Sequence, residues 1–406
     1  MKTMYKIIVL SLIIWGIGFV IHMPVSLQKY LFQTILFKPI YTDSIAYLKS
    51  SIVAFKNGSE YLISYPYIGY SFPYPPVIGF IWLVLTRLTY LFLSLANLQL
   101  TLNNICNMFY VLYSLLGLFL VVVYFRFLNK LSDLKIVLFM LPSLLLYIIY
   151  GWSMLFLTLL ILLIYYIEKE HDFLAGAMLG FMIAVNPYAA ILLPLIIYSL
   201  YYSNKIRLKN IVISAAIPLI SYALLFLSSD SATVFWNKYF PSSCMNCSFL
   251  VLTSKISTDY ILPLSYIVVM AITFLVLGLD TRSATGFSEI NAKILLVIVA
   301  SILFSVSYLP QYGLIVALGL LLLAEELRVK LFILLSDVLN ALIIILWFHD
   351  LYLRKALSFL NLGLTFNPWS LNSPVQWVVQ ARNIIQIIVF LVVASGILCL
   401  KPEEKL

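Results

Sequence analysis

The first acidic residue of the chain, Asp43, stands at the start of residues 41–76, the first long polar segment between two apolar ones. A carboxylate at a membrane surface can take a proton from an attacking hydroxyl group, which is general base chemistry. The same carboxylate can be the N-cap of a helix, which it would stabilise by about 1 kcal/mol. Both roles are open for Asp43, and they are compatible with each other.

The residues after Asp43 predict the element that would carry it. Apolar side chains at positions 45, 48, 52 and 55 follow helical spacing, and Asn57-Gly58 stops the pattern. This pattern indicates a short amphipathic helix that lies on the membrane. The Tyr- and Pro-rich segment that ends in Phe-Pro-Tyr-Pro-Pro at 72–76 cannot be helical. Its aromatic rings, at headgroup depth, could stack on sugars or pack against lipid.

Composition assigns the chain to the integral membrane proteins. Hydrophobic residues make up 63% and charged residues 10%, with a mean hydropathy of +1.06, whereas a soluble domain carries about 25% charged residues. The net charge of +9 is spread through short connections. We therefore interpret it as a signal for topology and lipid headgroups, with no nucleic-acid partner.

The basic connections predict the topology, because cytoplasmic loops are enriched in Lys and Arg. The N-terminus and the four basic connections can all be cytoplasmic only if the apolar run at 76–96 does not cross the membrane. We therefore predict an all-α polytopic bundle of about twelve transmembrane helices, with a re-entrant or interfacial helix at 76–96. Both termini would be cytoplasmic, in the plasma membrane if the source is prokaryotic. The basic connections are 126–135, 205–209, 328–330 and 401–405.

Two modules are predicted, an N-terminal one at 1–228 and a C-terminal one at 229–406. The first contains the external loop 24–96. The second contains the external loops 229–259 and 349–374. Cys244 and Cys247 lie in the loop 229–259. They could form a strained disulfide or remain free thiols.

A series of residues in the first loop resembles the GT-C glycosyltransferases, and most of all the polyprenol-phosphate-mannose-dependent enzymes of glycosyltransferase family 87. It is also similar to the catalytic subunit of the mannosyltransferase that adds the first mannose of the GPI anchor. Residues 173–198 resemble a helix pair of the family, with Asn186 where the family commonly has Lys. Gln311 lies in a turn where such enzymes often show a Pro…Trp…His pattern. The first-loop series is Asp43, Tyr47, Gly58, Tyr61, Tyr74, Pro75 and Pro76.

This resemblance implies an inverting transfer of a sugar, with mannose favoured, from a polyprenyl-phosphate donor to a lipid or glycan acceptor at the external membrane face. Asp43 would be the catalytic base, with no cofactor and no metal, because the loop has no paired acids. The candidates for substrate binding are Tyr47, Tyr61, Tyr74, His349 and Gln311. His349 can also be structural, at the end of a helix.

The departing phosphate needs cationic partners. Arg382 is the first choice, because an Arg inside a membrane is costly without a partner; snorkelling to the headgroups is its alternative role. Further candidates are Arg87, Lys238, Lys255, Arg354 and Lys355. Asp337, also inside a predicted span, is expected to hydrogen-bond between helices.

Two other classes of function stay open. A transporter of lipid-linked saccharides or small solutes would carry polar residues on broken helices near mid-membrane, and the one break in this sequence is at Asn186-Pro187. A non-catalytic subunit could keep the GT-C-like fold. Sugar transfer that depends on Asp43 would distinguish an enzyme from a transporter and from a non-catalytic subunit.

Overall fold

A computed structural model describes residues 2–35, 40, 42, 47–48, 56–57, 60–61, 66–67, 71–201, 205–225, 229–239, 258–278, 280–281, 287–357 and 373–399. The fold is almost entirely α-helical. Five helices in this part of the chain are long and apolar enough to cross a membrane, and six apolar stretches of 10–17 residues accompany them. An all-α, membrane-embedded protein is the fold class that results, while the count of about twelve spans stays a prediction.

Sixteen α-helices can be given bounds in the described ranges. They are α1 Lys2–His22, α2 Val25–Phe32, α3 Pro76–Leu95, α4 Leu102–Leu131, α5 Leu141–Tyr147, α6 Ser153–Glu168, α7 Asp172–Val185, α8 Leu192–Tyr201, α9 Lys205–Leu219, α10 Tyr222–Leu225, α11 Ser229–Tyr239, α12 Thr258–Gly278, α13 Glu289–Leu303, α14 Gly313–Leu323, α15 Leu327–Leu357 and α16 Pro374–Ile397.

Short 3-10 helices and two small hairpins complete the described elements. The 3-10 helices are Leu134–Met140, Pro187–Ile191 and Pro310–Tyr312. The strands are β1 Lys56–Asn57, β2 Glu60–Tyr61, β3 Asp280–Thr281 and β4 Leu398–Cys399; β1 pairs with β2 and β3 with β4, both antiparallel. The hairpin β1–β2 begins where the sequence predicted that the surface helix would stop. Most of that predicted helix lies outside the described residues, although Tyr47 and Leu48 are helical.

Helices α1 and α4 are antiparallel, and two hydrogen bonds fix their register. Trp15 Nε1 donates to Ser114 O at 2.8 Å, and one turn later the Tyr110 hydroxyl donates to Phe19 O. Increasing residue numbers in α1 therefore lie beside decreasing residue numbers in α4. The start of α1, with Lys2, lies at the same end of the bundle as the end of α4.

We call this end of the bundle the basic end, and further contacts gather the other basic connections there. Lys130 donates to the Tyr165 hydroxyl at the end of α6. Arg207 at the start of α9 forms ion pairs with Glu170 and Asp172. Lys330 at the start of α15 lines a surface pocket with Lys135. The first three of the four connections that the sequence grouped by charge thus lie together; residues 401–405 fall outside the described ranges, although α16 ends here.

Helix α3 is the predicted re-entrant helix. By length and apolarity it is one of the five candidate spans. Its contacts place it differently from α1, because Tyr74, just before α3, lies against Trp152, and Trp152 in turn contacts Tyr113 of α4. Trp82 packs on Phe109 at 5.0 Å between ring centroids. The helix thus starts beside the middle of the α1–α4 pair and runs toward the start of α4, away from the basic end. Its re-entrant arrangement stays a prediction.

Helices α7 and α9 approach each other closely through glycine. A Cβ atom on Gly176 would lie 2.1 Å from Ser214 Oγ, and one on Gly180 would lie 2.4 Å from Ala215 O. Small residues four apart allow such backbone contact between membrane helices. Helix α7 ends at Asn186, whose side chain accepts a hydrogen bond from the amide of Tyr188. The predicted break at Asn186-Pro187 is therefore present.

One buried apolar core extends from Ile7 to Ile397 and includes residues of nearly every helix. The predicted modules, 1–228 and 229–406, share this core.

Candidate functional site

A narrow cavity lies in the part of the bundle remote from the basic end. Five separate segments meet there: the start of α3 with Tyr74 just before it, the turn before α6, the break after α7, the end of α11 and the turn before α14. Its lining residues are Tyr74, Ile78, Gly151, Trp152, Ser153, Phe156, Val185, Asn186, Lys238, Tyr239, Gln311 and Tyr312. We call it the Trp152 cavity.

Three buried polar atoms in the lining have no hydrogen-bond partner within the described structure. They are Trp152 Nε1, Ser153 Oγ and Gln311 Oε1. The residues that bear them are 7%, 2% and 9% exposed, respectively. Buried polar groups are satisfied in most proteins, and one left alone costs about 1–3 kcal/mol. A donor, a hydroxyl and an acceptor that converge on one cavity therefore indicate a site for a polar ligand.

Gly151 is the position at which the turn comes closest to Gln311. A Cβ atom at Gly151 would lie 2.8 Å from Gln311 Oε1, too close without movement of that amide. The carbonyl of Gly151 accepts a 2.7 Å hydrogen bond from the Tyr113 hydroxyl, which fixes the turn to α4. Glycine thus keeps the space in front of Gln311 open.

Aromatic rings and one cation form the walls. Lys238 Nζ lies 3.5 Å from the centroid of the Tyr74 ring, a cation–π contact worth about 0.5–2 kcal/mol. Burial raises the pKa of Tyr239 well above its ordinary value, and the neighbouring phenols of Tyr312 and Tyr74 add to this shift. The Tyr239 hydroxyl therefore stays protonated across the physiological pH range and remains able to donate a hydrogen bond.

The start of α6 adds positive potential to the same cavity. Its N-cap residue, Trp152, provides no side-chain cap, so the first amide N–H groups of the helix are not satisfied by a capping side chain. Because Ser153 and Phe156 both line the cavity, this helix end borders it. An anion beside Lys238 would also be favoured by the helix dipole.

The space open to water-sized molecules is about 20 Å³, room for one or two waters. A ligand the size of a hexose therefore enters only if lining side chains move. Lys238 is half-buried at the wall of this cavity, with its ammonium over the Tyr74 ring.

An aromatic cluster behind Tyr74 holds the site in place. Tyr47 donates from its hydroxyl to Ser71 O at 2.7 Å. Its ring contacts Phe72, Tyr74 and Trp82 at centroid distances of 5.5, 5.8 and 5.6 Å. Two predicted substrate-binding residues, Tyr47 and Tyr74, are thus neighbours, and Gln311 lies across the cavity from Tyr74.

Arg382, the first choice for the donor phosphate, lies elsewhere. It is fully buried on α16 and does not line the Trp152 cavity. Its Nη1 donates to Asn340 Oδ1 at 2.8 Å, and its Nε and Nη2 donate to Asn383 Oδ1 at 3.0 and 2.8 Å. Its guanidinium stacks on the Tyr308 ring at 4.0 Å. Every nitrogen of this side chain therefore has a protein partner.

Asn340 connects Arg382 to two other elements. Its Nδ2 donates to Ser143 Oγ of α5 and to Pro310 O in the turn before α14. The amide of Ser143 donates to Asp337 Oδ2 at 2.9 Å. We call Arg382, Asn383, Asn340, Ser143 and Asp337, with Tyr308, the Arg382 network. It contains the helix-to-helix hydrogen bonding that the sequence predicted for Asp337, and it anchors the turn that carries Gln311.

The other predicted residues are not gathered at this cavity. Arg87 is exposed on α3. Asp43 and Lys255 lie outside the described residues; close to Asp43, Thr42 is buried. Tyr61 is in β2 and His349 in α15, and only the backbone of each is described.

Sequence reasoning missed Trp152 and Ser153. The signal was present, because Gly151-Trp152-Ser153 separates two apolar runs with a polar turn. Lys238 was one of the candidates for the phosphate, and nothing in the sequence distinguished it from the other basic residues of the loops.

The described side chains contain no group of three or more His, Cys, Asp or Glu that could hold a metal ion. Fold and site together define a polytopic helical membrane protein with an aromatic-walled polar cavity. No family model matches this chain, and no curated protein matches it.

Proposed function

We propose that the protein is an integral membrane glycosyltransferase that moves a sugar from a polyprenyl-phosphate donor to a hydroxyl group of a lipid or glycan acceptor. The observation that carries this proposal is the Trp152 cavity, in which unpartnered hydrogen-bonding atoms converge between aromatic rings and one Lys. Sugars present both hydroxyl groups and an apolar ring face, so such walls suit them.

The cavity side chains would hold the sugar of the donor. Gln311 Oε1 would accept from a sugar hydroxyl, while Trp152 Nε1 and Ser153 Oγ would donate to sugar oxygens. The Tyr74 ring would lie against the sugar once Lys238 has moved off it. Mannose is the sugar that the resemblance favours.

The donor phosphate would bind Lys238 and the start of α6. This assignment replaces Arg382, whose nitrogens are all used within its network. A phosphate at that place would also displace the Lys238 ammonium from the Tyr74 ring. Opening of the cavity and binding of the donor would then be one event.

Asp43 would be the base. Its carboxylate would take the proton of the acceptor hydroxyl while that oxygen forms a bond to the anomeric carbon. The bond from this carbon to the phosphate oxygen would break, and its electron pair would leave with the lipid phosphate. In-line displacement gives inversion at the anomeric carbon.

The test is transfer by the purified protein in lipid nanodiscs. Polyprenyl-phosphate carrying tritiated mannose is added with a lipid extract, and label in new lipids is measured. We expect Asp43→Asn to abolish transfer and Asp230→Asn, an exposed acid in the first turn of α11, to retain it. Equal transfer by the wild type and a folded Asp43→Asn variant would contradict the role of Asp43.

A transporter of lipid-linked saccharides is the second candidate, and Asn186 favours it. This residue is at the end of helix α7, where the chain breaks, and it lines the cavity. Substrate sites of transporters are often formed by such broken helices. Movement of labelled lipid between the leaflets of proteoliposomes, with no new glycosidic bond, would select this function.

A further inference from the structure

A second cavity lies at the basic end of the bundle, remote from the Trp152 cavity. The space open to water-sized molecules is about 340 Å³, which is within the range of about 300–1,000 Å³ for ligand pockets. Helix α4 ends at this cavity and α15 begins beside it, and both are candidate spans. The cavity therefore lies where these helices leave the apolar core of a membrane, at headgroup depth. We call it the Lys330 pocket.

The Lys330 pocket is lined by two acidic and two basic side chains. Asp133 and Lys135 are on the wall that follows α4, and Glu325 and Lys330 are on the wall between α14 and α15. Lys135 Nζ lies 3.7 Å from Asp133 Oδ2, and 84% and 68% of these side chains are exposed, so a ligand can replace this weak surface pair. Among the described residues, no ion pair involves Glu325 or Lys330. Each wall thus offers a ligand one carboxylate and one ammonium group.

This arrangement favours a ligand that carries charges of both signs. The four charged side chains sum to zero, so an anion that approaches the pocket meets two carboxylates as well as two ammonium groups. Helices α4 and α14 both end here, at Leu131 and just before Ala324, and the carbonyl ends of helices favour a cation. A simple anion is therefore a poorer match than a molecule with one cationic and one anionic group.

The rest of the lining is mainly apolar. Four of its side chains are at most 8% exposed, namely Ile136, Phe287, Leu321 and Leu322. Leu138, on the same 3-10 helix as Ile136, is 60% exposed, so apolar surface continues from the pocket to the outside of the bundle. Such a surface suits an aliphatic chain, which is excluded from water when it lies there.

We propose that the Lys330 pocket binds a phospholipid whose headgroup has both a phosphate and a primary ammonium group, as in phosphatidylethanolamine. The phosphate accepts hydrogen bonds from Lys135 or Lys330, and the ammonium donates to Asp133 or Glu325. The acyl chains lie along the apolar lining. This lipid site is independent of the proposed function, because it takes no part in sugar transfer.

Two other phospholipids lack part of this chemistry and serve as comparisons. Phosphatidylcholine has a phosphate and a cation, but its cation has no N–H group to donate to a carboxylate. Phosphatidylglycerol has a phosphate and no cation, so it leaves both carboxylates beside a negative ligand. The charge-assisted hydrogen bonds of the ammonium group therefore distinguish phosphatidylethanolamine from both.

The first test is native mass spectrometry of the full chain in detergent, with one phospholipid of matched acyl chains added at a time. We expect phosphatidylethanolamine to bind about fivefold more tightly than either comparison lipid, roughly the effect of one exposed ion pair. Equal affinities for all of these lipids, or tightest binding of phosphatidylglycerol, would overturn the proposal.

A pair of neighbouring acids locates the ammonium group. Glu325→Gln should weaken phosphatidylethanolamine binding about fivefold and so reduce its advantage over phosphatidylcholine. Glu326→Gln, at an exposed acid that is next in the chain and does not line this pocket, is the matched control and should keep that advantage. Equal losses of affinity in the two variants would place the ammonium group elsewhere and contradict the proposal.

A pair of lysines locates the phosphate. Lys330→Met should weaken the binding of phosphatidylethanolamine and phosphatidylcholine by the same factor, since both lipids carry the phosphate. Lys209→Met, at an exposed lysine of α9 that does not line this pocket, is the control and should leave both affinities unchanged. Wild-type affinities in a folded Lys330→Met variant would remove the phosphate from this pocket.

Water-soluble phosphoethanolamine tests whether the ligand is a lipid. Its affinity should be at least about tenfold lower than that of phosphatidylethanolamine, because it has no acyl chain to cover the apolar lining. Competition at equal concentrations of the two molecules measures the difference. Equal affinity would show that the apolar lining is not used and would overturn the assignment to a lipid.

Discussion

The Arg382 network and the Trp152 cavity are two buried polar clusters in one bundle, and they differ in how their polar atoms are satisfied. In the network, every nitrogen of Arg382 has an acceptor, and both the oxygen and the nitrogen of the Asn340 amide form hydrogen bonds to other elements. Asp337 Oδ1 is the buried network atom for which the described residues provide no partner. In the cavity lining, three side chains from two segments carry buried polar atoms that have no partner among the described residues.

The difference separates a structural role from a binding role. A charged group inside a membrane protein is usually interpreted as functional, yet Arg382 is fully used in joining α15, α16 and the turn before α14. In the lining of the cavity, the neutral groups of Trp152, Ser153 and Gln311 have no partner among the described residues, so they are able to bind a ligand. The two clusters are also coupled, because Asn340 holds Pro310 O, next to Gln311.

The largest effect is expected from breaking the network. Asn340→Ala removes the acceptor of Arg382 Nη1 and leaves a buried charge partly unpaired, which should cost about 3 kcal/mol of stability. Thermal unfolding in detergent measures the loss. Adding Arg382→Met to Asn340→Ala should restore part of the stability, because the unpaired charge is then gone.

Asn103→Ala, an exposed Asn in the first turn of α4, is the matched control for Asn340→Ala. The control should stay within about 0.5 kcal/mol of the wild type. Equal unfolding temperatures for the two variants would contradict a structural role for the network.

A cavity variant should behave in the opposite way. Gln311→Leu removes an acceptor that has no protein partner, so stability should change by less than about 1 kcal/mol. Binding of the lipid-phosphate sugar should weaken about 10–100-fold, because a sugar hydroxyl loses its acceptor. Isothermal titration in nanodiscs measures the affinity; a large loss of stability with unchanged affinity would reverse the two roles.

Lys238 tests the charge in the cavity. Lys238→Met keeps the length of the side chain and removes the cation, and donor binding should weaken about tenfold. Lys238→Arg should keep most of the affinity. The dependence of binding on salt concentration should be weaker in Lys238→Met than in the wild type. An equal salt dependence in both would remove Lys238 from the phosphate site.

Ser153→Ala should give the smallest effect. Its hydroxyl has no hydrogen-bond partner among the described residues, so stability should stay the same or rise slightly. Donor affinity should fall a few-fold, roughly the worth of one neutral hydrogen bond. A fall in the unfolding temperature comparable with that of Asn340→Ala would place Ser153 with the structural cluster.

Much of the architecture could be predicted from local patterns. The break at Asn186-Pro187 follows from proline chemistry, and the gathering of the basic connections follows from their charge. The continuous apolar run of the sequence at 105–125 is shorter than the helix that contains it, because α4 also includes Asn103 at its start and Lys130 at its end. A search for apolar residues does not detect the polar residues at the ends of a helix, so it underestimates the length of the helix.

The site was less predictable because its residues come from distant parts of the chain. Gln311 and Tyr74 were selected, but their neighbours Trp152 and Lys238 reach them only through the packing of α3, α6 and α11. The partner of Arg382 was not predicted for the same reason, since Asn340 is on another helix. An apolar segment predicts that a charged residue within it is buried. It does not predict whether another helix provides a hydrogen-bond partner for that residue.

The central claim is that the Trp152 cavity binds the sugar of a lipid-phosphate donor, and a structure of the protein with a phosphonate analogue of polyprenyl-phosphate-mannose tests it most directly. We predict the sugar between Tyr74 and Trp152, with Gln311 Oε1 at a sugar hydroxyl and the phosphonate at Lys238. A bound analogue with its phosphonate at Arg382 or Arg87, and the Trp152 cavity unchanged, would contradict the claim.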